Sequence, residues 1–291
     1  TAVEIYYIAG AGRSGSTLLD ISLGNLKNHQ SLGELIFFVK NGLIDNEYCS
    51  CGLPVQDCSF WKEIEKEWAL KRKLTIRTYQ KTQMELLRNK NTFKNIYYRF
   101  FPTKQHQAYF NDLKALYEII FEKSGQHILI DSSKNAQYIL ILRRLPFKVK
   151  VLHLTRSFSG VLQSTKKEFK KNPKQGLERA LKPQSFRYSL AIWTLDNVFT
   201  RLFSTGMRYK RVKYEDLVKK PAEVINRLSQ LNAQEAKLFE KRGPLLAEHL
   251  VAGNQLRMGT DIFIQTSKPL KVENRLTTLE KSIVSFIDFF Y

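Results

Sequence analysis

The stretch Ile8-Ala-Gly-Ala-Gly-Arg-Ser-Gly-Ser-Thr-Leu-Leu-Asp20 decides how this chain is read. It follows a short β-like run, Glu4 to Ala9, and opens an amphipathic pattern that predicts a helix from about Ser16 to Leu26. Gly10, four residues, Gly15 and then Ser16-Thr17 come close to the spacing of a phosphate-binding loop. Glycines let such a backbone curl until several N–H groups face one anion, and the following helix adds its positive end. The lysine that would reach β- and γ-phosphates is missing, and Ser16 takes its place. Arg13 supplies a cation from inside the loop instead, with planar donors suited to a phosphate or sulfate oxyanion. That substitution argues against triphosphate chemistry. The bland reading is a glycine-rich turn that only joins strand to helix.

Further along, His127 to Ser133 and Val149 to Thr155 are short runs rich in Val, Ile and Leu that end in polar residues. They read as buried parallel strands. Arg208 to Leu217 reads as a more polar strand near an edge. Helical patterns cover Phe60 to Arg72, Ile76 to Asn89, Gln107 to Lys123, Gln184 to Phe203 and Thr277 to Phe289. Strands alternating with helices predict one α/β domain over residues 1–291, with a central, mostly parallel sheet. Residues 60–125 form a helical insertion between the first and second of these strands, expected to wall the ligand pocket together with residues 165–205. Ligands of such sheets sit at the carboxyl ends of the strands. Three strands end there in reactive residues: GAGRSGST, DSSK (Asp131 to Lys134) and LTRS, which carries Arg156. Ser164 follows Arg156 by about two helical turns, and the pair is suited to a second phosphate.

The chain has 291 residues and a formal net charge of +20, which favours anionic partners or merely solubility. No docking motif with interleaved aromatics accompanies the charge, so no nucleic acid is expected. No apolar run reaches the ~18–20 residues of a membrane span, and none resembles a signal peptide. Three unevenly spaced cysteines are too few for a disulfide scaffold. A cytoplasmic location without membrane attachment is therefore expected.

Taken together, these motifs resemble the sulfotransferases that use 3′-phosphoadenosine 5′-phosphosulfate, and their bacterial branch above all. Gly12 to Leu19 is similar to the family's 5′-phosphosulfate loop, and the Arg156/Ser164 pair to its 3′-phosphate motif. Ser31 to Leu35, Asp131 to Lys134, Val212 to Leu217 and His249 to Arg257 resemble further blocks in the right order. The Lys-Thr-His segment of the cytosolic steroid and phenol enzymes is not found. The resemblance implies a P-loop-like sulfotransferase fold. It also implies in-line transfer of a sulfuryl group to a hydroxyl or amine of a small molecule, natural products among the candidates. The donor would be held by Gly12, Arg13, Ser14, Gly15, Ser16, Thr17, Leu18, Arg156, Ser164, Tyr214 and Arg257. Met258 stands where the cytosolic branch has a second basic residue, which weakens the match at Arg257. Arg13 and Lys134 would stabilise the leaving phosphate and the sulfuryl group, and Glu34 would be the general base, with His29 as the alternative. No metal is expected, and the protein would be a monomer or homodimer. Two other readings stay open: an atypical P-loop kinase, using Asp131, and a basic non-enzymatic nucleotide- or nucleic-acid-binding protein.

Cys49, Cys51 and Cys58 share a Gly/Pro loop. A structural zinc site needs four ligands and no fourth is assignable, so loop packing near the acceptor entrance is preferred. A disulfide to Cys58 is the oxidised alternative. Trp61 and Trp68, seven apart on a helix, read as core.

Overall fold

The computed structural model describes residues 3–291 apart from 167, 169, 177–179, 181 and 267–275. Its elements run β1 (Glu4–Ala9), α1 (Ser16–Gly24), β2 (His29–Ser31), α2 (Ser59–Lys71), α3 (Ile76–Leu86), α4 (Thr92–Phe100), α5 (Lys104–Ser124), β3 (Ile128–Lys134) and α6 (Ala136–Leu142). They continue with β4 (Lys148–Thr155), α7 (Phe158–Thr165), α8 (Phe186–Phe203), β5 (Arg208–Lys213), α9 (Tyr214–Lys219), α10 (Pro221–Leu228), α11 (Ala233–Glu240) and α12 (Thr278–Phe290). The five strands form one sheet in the order β2-β3-β1-β4-β5. Every pairing is parallel, with Glu4 opposite both Ile128 and Lys148.

Both faces of this sheet are covered, which is why its central strands are nearly all apolar. Alternation sends Ile5, Tyr7 and Ala9 to one face and Tyr6 and Ile8 to the other. The first face packs on the helical insertion, with Trp61, Trp68, Tyr79, Tyr109 and Tyr117 all buried. The two tryptophans are core, as their spacing predicts. The second face packs on α1 and α9 to α11 through Leu19, Ile21, Val224, Ile225 and Phe239. The sheet is thus an α/β sandwich with β1 in the middle and the loop of residues 10–15 at its carboxyl end.

Two elements differ from the sequence reading. β2 has only three residues, His-Gln-Ser, and no apolar run to announce it; it adds an edge through register with Ile128 to Ile130. The insertion therefore lies between β2 and β3. The strand expected over 208–217 stops at Lys213, and Tyr214 starts a helix. Glu215 and Asp216 occupy the first turn of α9, where acidic side chains favour a helix over continued strand. Among the described residues no helix is long and apolar enough to cross a membrane.

Candidate functional site

At the carboxyl end of β1 the backbone turns sharply before α1. Gly15 takes the left-handed conformation (φ 93°) at the N-cap, and Arg13 does so too (φ 66°). For a residue with a Cβ this costs roughly 1–2 kcal/mol, so Arg13 is held there by its surroundings. Its carbonyl accepts a hydrogen bond from Arg156 Nη1 at 3.0 Å. The Arg156 guanidinium in turn lies 4.3 Å from the centre of the Tyr214 ring. That ring presses so closely on the loop that a Cβ on Gly15 would sit 2.4 Å from it. Loop, arginine and tyrosine form one packed unit.

A cavity of about 470 Å³ opens over this unit, within the usual range for small-molecule sites. Gly12, Arg13, Gly15, Ser16, Thr17 and Leu18 line it from the loop and α1. Lys134 enters from the end of β3, Arg156 from the end of β4, Ser164 from α7 and Tyr214 from α9. Glu34 enters from the segment after β2. The remaining wall comes from Val161, Thr165, Gln184, Tyr188, Ser189, Ile192 and Trp193, and from Gly253, Asn254 and Leu256. Among the described residues none of the lining belongs to 60–125, whereas the 165–205 region contributes.

Glu34 and Lys134 meet in an ion pair at the floor of this cavity. Lys134, like Arg13, is a non-glycine residue at φ 66°. Backbone strain of this kind concentrates at functional sites, and here it marks two cations of one cavity. Glu34 is buried, and its N–H donates to the Val251 carbonyl at 2.8 Å. Three residues on, the Asn254 N–H donates to Thr17 Oγ1 at 3.2 Å. The strap 251–254 therefore holds both the Thr17 hydroxyl and the backbone of Glu34. Burial pushes the Arg13 guanidinium below its usual range, while the Glu34 charge pulls the other way. Asp196 of α8, which sequence reasoning passed over, accepts the Gly12 N–H; burial nevertheless pushes its carboxyl up to about 7. An acid in a mostly apolar helix was the only signal it offered.

Four sequence candidates lie elsewhere. Ser14 is buried and does not line the cavity; its hydroxyl finds no hydrogen-bond partner among the described residues. Arg257 is also buried away from the cavity, donating through Nη2 to the Tyr48 carbonyl at 3.0 Å. His29 is not a solvated loop residue. It is buried in β2, with Nδ1 2.8 Å from the Lys27 carbonyl and Nε2 3.1 Å from Ser229 Oγ. Burial lowers its pKa. It sits opposite Ile128, six residues and so about 20 Å of strand from Lys134. Asp131 is fully buried, accepts from Tyr117 at 2.5 Å and from Ser133, and is pushed up to about 6 by burial. It does not reach the cavity, so the kinase reading loses its acidic residue.

A family model described as "Sulfotransferase family" matches residues 6–231. Among solved structures, the chain is similar to the sulfotransferase domain from the curacin biosynthetic pathway, with a TM-score of 0.51 and 20% identity. That match covers 98% of this chain and 97% of the other. The sulfotransferase domain from the Synechococcus PCC 7002 olefin synthase gives a TM-score of 0.51 at 19% identity, covering 100% and 96% of the two chains. At these identities the likeness is one of fold. Comparison with curated proteins gave no match.

Proposed function

This chain belongs to the sulfotransferase family, and from that premise we propose that it moves the sulfuryl group of 3′-phosphoadenosine 5′-phosphosulfate to a hydroxyl or amine of a small molecule. The observation that supports the reading is one cavity lined by two sets of cationic and hydroxyl groups. Arg13 with the N–H groups and hydroxyls of 15–17 forms one, and Arg156 with Ser164 the other. The first would hold the 5′-phosphosulfate and the second the 3′-phosphate.

In the proposed transfer the acceptor oxygen or nitrogen attacks sulfur in line, the bond to the bridging phosphate oxygen breaks, and adenosine 3′,5′-bisphosphate leaves. Charge grows on that oxygen, which is what Arg13 and Lys134 would stabilise. Glu34 takes the proton that the acceptor loses. Its ion pair with Lys134 keeps the carboxylate occupied until a donor draws the lysine toward the sulfuryl group.

Adenosine 3′,5′-bisphosphate is expected to stabilise the protein well beyond AMP or ATP. At hundredfold excess over its Kd it should add about 2.7 kcal/mol. Arg156→Ala should lower affinity for the bisphosphate by roughly 10- to 100-fold, the worth of a charged hydrogen bond, and affinity for AMP much less. Calorimetric titration of both ligands against both proteins checks this. Equal stabilisation by ATP would sink the donor assignment.

A further inference from the structure

The fold supplies the donor that the cysteine loop lacks. His249, 191 residues after Cys58, places Nδ1 3.2 Å from the Cys58 sulfur. The sulfurs of Cys49, Cys51 and Cys58 and the His249 ring nitrogen all lie within 4.8 Å of one another. A tetrahedral zinc ion, with bonds of about 2.3 Å to sulfur and about 2.0 Å to nitrogen, holds its ligand atoms roughly 3.5–3.8 Å apart. Small side-chain rotations close the difference. We propose that Cys49, Cys51, Cys58 and His249 bind one zinc ion in a closed, structural site.

The surroundings are built as the outer shell of such a site. Each sulfur faces a backbone N–H: that of Cys51 for Cys49, that of Leu53 for Cys51 and that of Trp61 for Cys58. These donors offset thiolate charge and fix ligand direction. His249 is held in the left-handed region (φ 55°). Its carbonyl accepts the Trp61 indole N–H at 2.7 Å, and its ring stacks on Phe60 with centres 5.0 Å apart. A disulfide between two of the cysteines would explain neither the third sulfur nor the histidine. None of the four ligands lines the donor cavity, so the ion has no part in the transfer chemistry.

Its work is mechanical. The Leu250 N–H donates to Ser50 Oγ at 2.7 Å and the Ser50 N–H to the Leu250 carbonyl at 3.2 Å. These bonds tie the cysteine loop to the strap that supports Glu34 and Thr17. The zinc ion clamps the same junction covalently.

Protein produced in zinc-supplemented medium and purified under reducing conditions without chelator is expected to carry about one zinc per chain by plasma mass spectrometry. Cys58→Ser and His249→Ala should each retain less than about a tenth of that. A second measurement does not depend on those variants folding. Wild type stripped of metal and titrated with cobalt(II) should develop the visible bands of a tetrahedral thiolate site, saturating at about one equivalent. Wild type that holds no zinc and gives no such bands overturns the proposal. So does a Cys49–Cys58 disulfide that persists through purification under reducing conditions, found by mass mapping after alkylation of the free thiols.

Discussion

Glu34→Gln is expected to lower the transfer rate by roughly 10²- to 10⁴-fold, the usual worth of a positioned general base. Bisphosphate affinity should stay nearly unchanged. The amide keeps the shape of the side chain and can still accept a hydrogen bond from Lys134, but it cannot take up a proton. Glu34 is the one carboxylate among the described residues that line the cavity, and it shares that lining with Arg13, Lys134 and Arg156. Removing its charge leaves the cavity more cationic, so any change in affinity for an anionic donor should be toward tighter binding. Single-turnover rates with a competent acceptor, beside calorimetry with the bisphosphate, separate the two effects. Near-normal transfer by the variant would remove Glu34 from the reaction. Equal damage to binding would make it a positioning residue for Lys134. His29→Ala is the control, and it should leave the rate near that of the wild type. Its expected cost is about 1–3 kcal/mol of stability, because Ser229 and the Lys27 carbonyl lose a buried partner.

Gly33→Ala should be strongly destabilising, costing roughly 2–5 kcal/mol. Gly33 sits at φ 74°, where an alanine is strained by about 1–2 kcal/mol. Its Cβ would also fall 2.3 Å from the Val251 carbonyl oxygen and 2.9 Å from the Val251 nitrogen. Those are backbone atoms and cannot swing aside, so overpacking adds about 1–3 kcal/mol. Three connections converge on this residue. Its N–H donates to Asp20 Oδ2 at 3.0 Å, its carbonyl accepts from the Ser132 N–H at 2.8 Å, and it bridges to Val251. Glu34 is the next residue, so the surviving folded fraction should also lose transfer activity. Gly12→Ala is the comparison. A Cβ there meets nothing within 4 Å, and its unfolding free energy from urea denaturation should match wild type to within about 0.5 kcal/mol. A Gly33→Ala protein as stable as Gly12→Ala would contradict the packing argument.

The glycine loop after β1 was legible because its shape is carried by backbone, and backbone geometry shows in glycine spacing. Arg156 and Ser164 were legible from a strand end followed by a helix, and the all-parallel sheet exceeds the mostly parallel one expected only by its strictness. What escaped depends on distant contacts. β2 exists because three polar residues find β3, not because they favour strand. Arg257 turns to the Tyr48 carbonyl, an attraction that no local motif announces. Tyr214 lines the cavity from the first residue of a helix, where continued strand had been expected. The strained backbone of Arg13 and Lys134 leaves no trace in residue type, since neither is a glycine. His249 reaches the cysteines only once the chain has folded back across the sheet edge.

The place of β1 in the sheet has a consequence for synthesis. β1 is made before both of its partners, which span residues 128–134 and 148–155. Parallel strands cannot pair through a hairpin, so no local contact rewards β1 on emergence, and closing so long a loop must precede any gain. Until residue 134 has left the ribosome the Ile5 to Ala9 run has neither neighbour, and until residue 155 it still lacks the second. This is the interval in which chaperone binding and aggregation compete for the nascent chain.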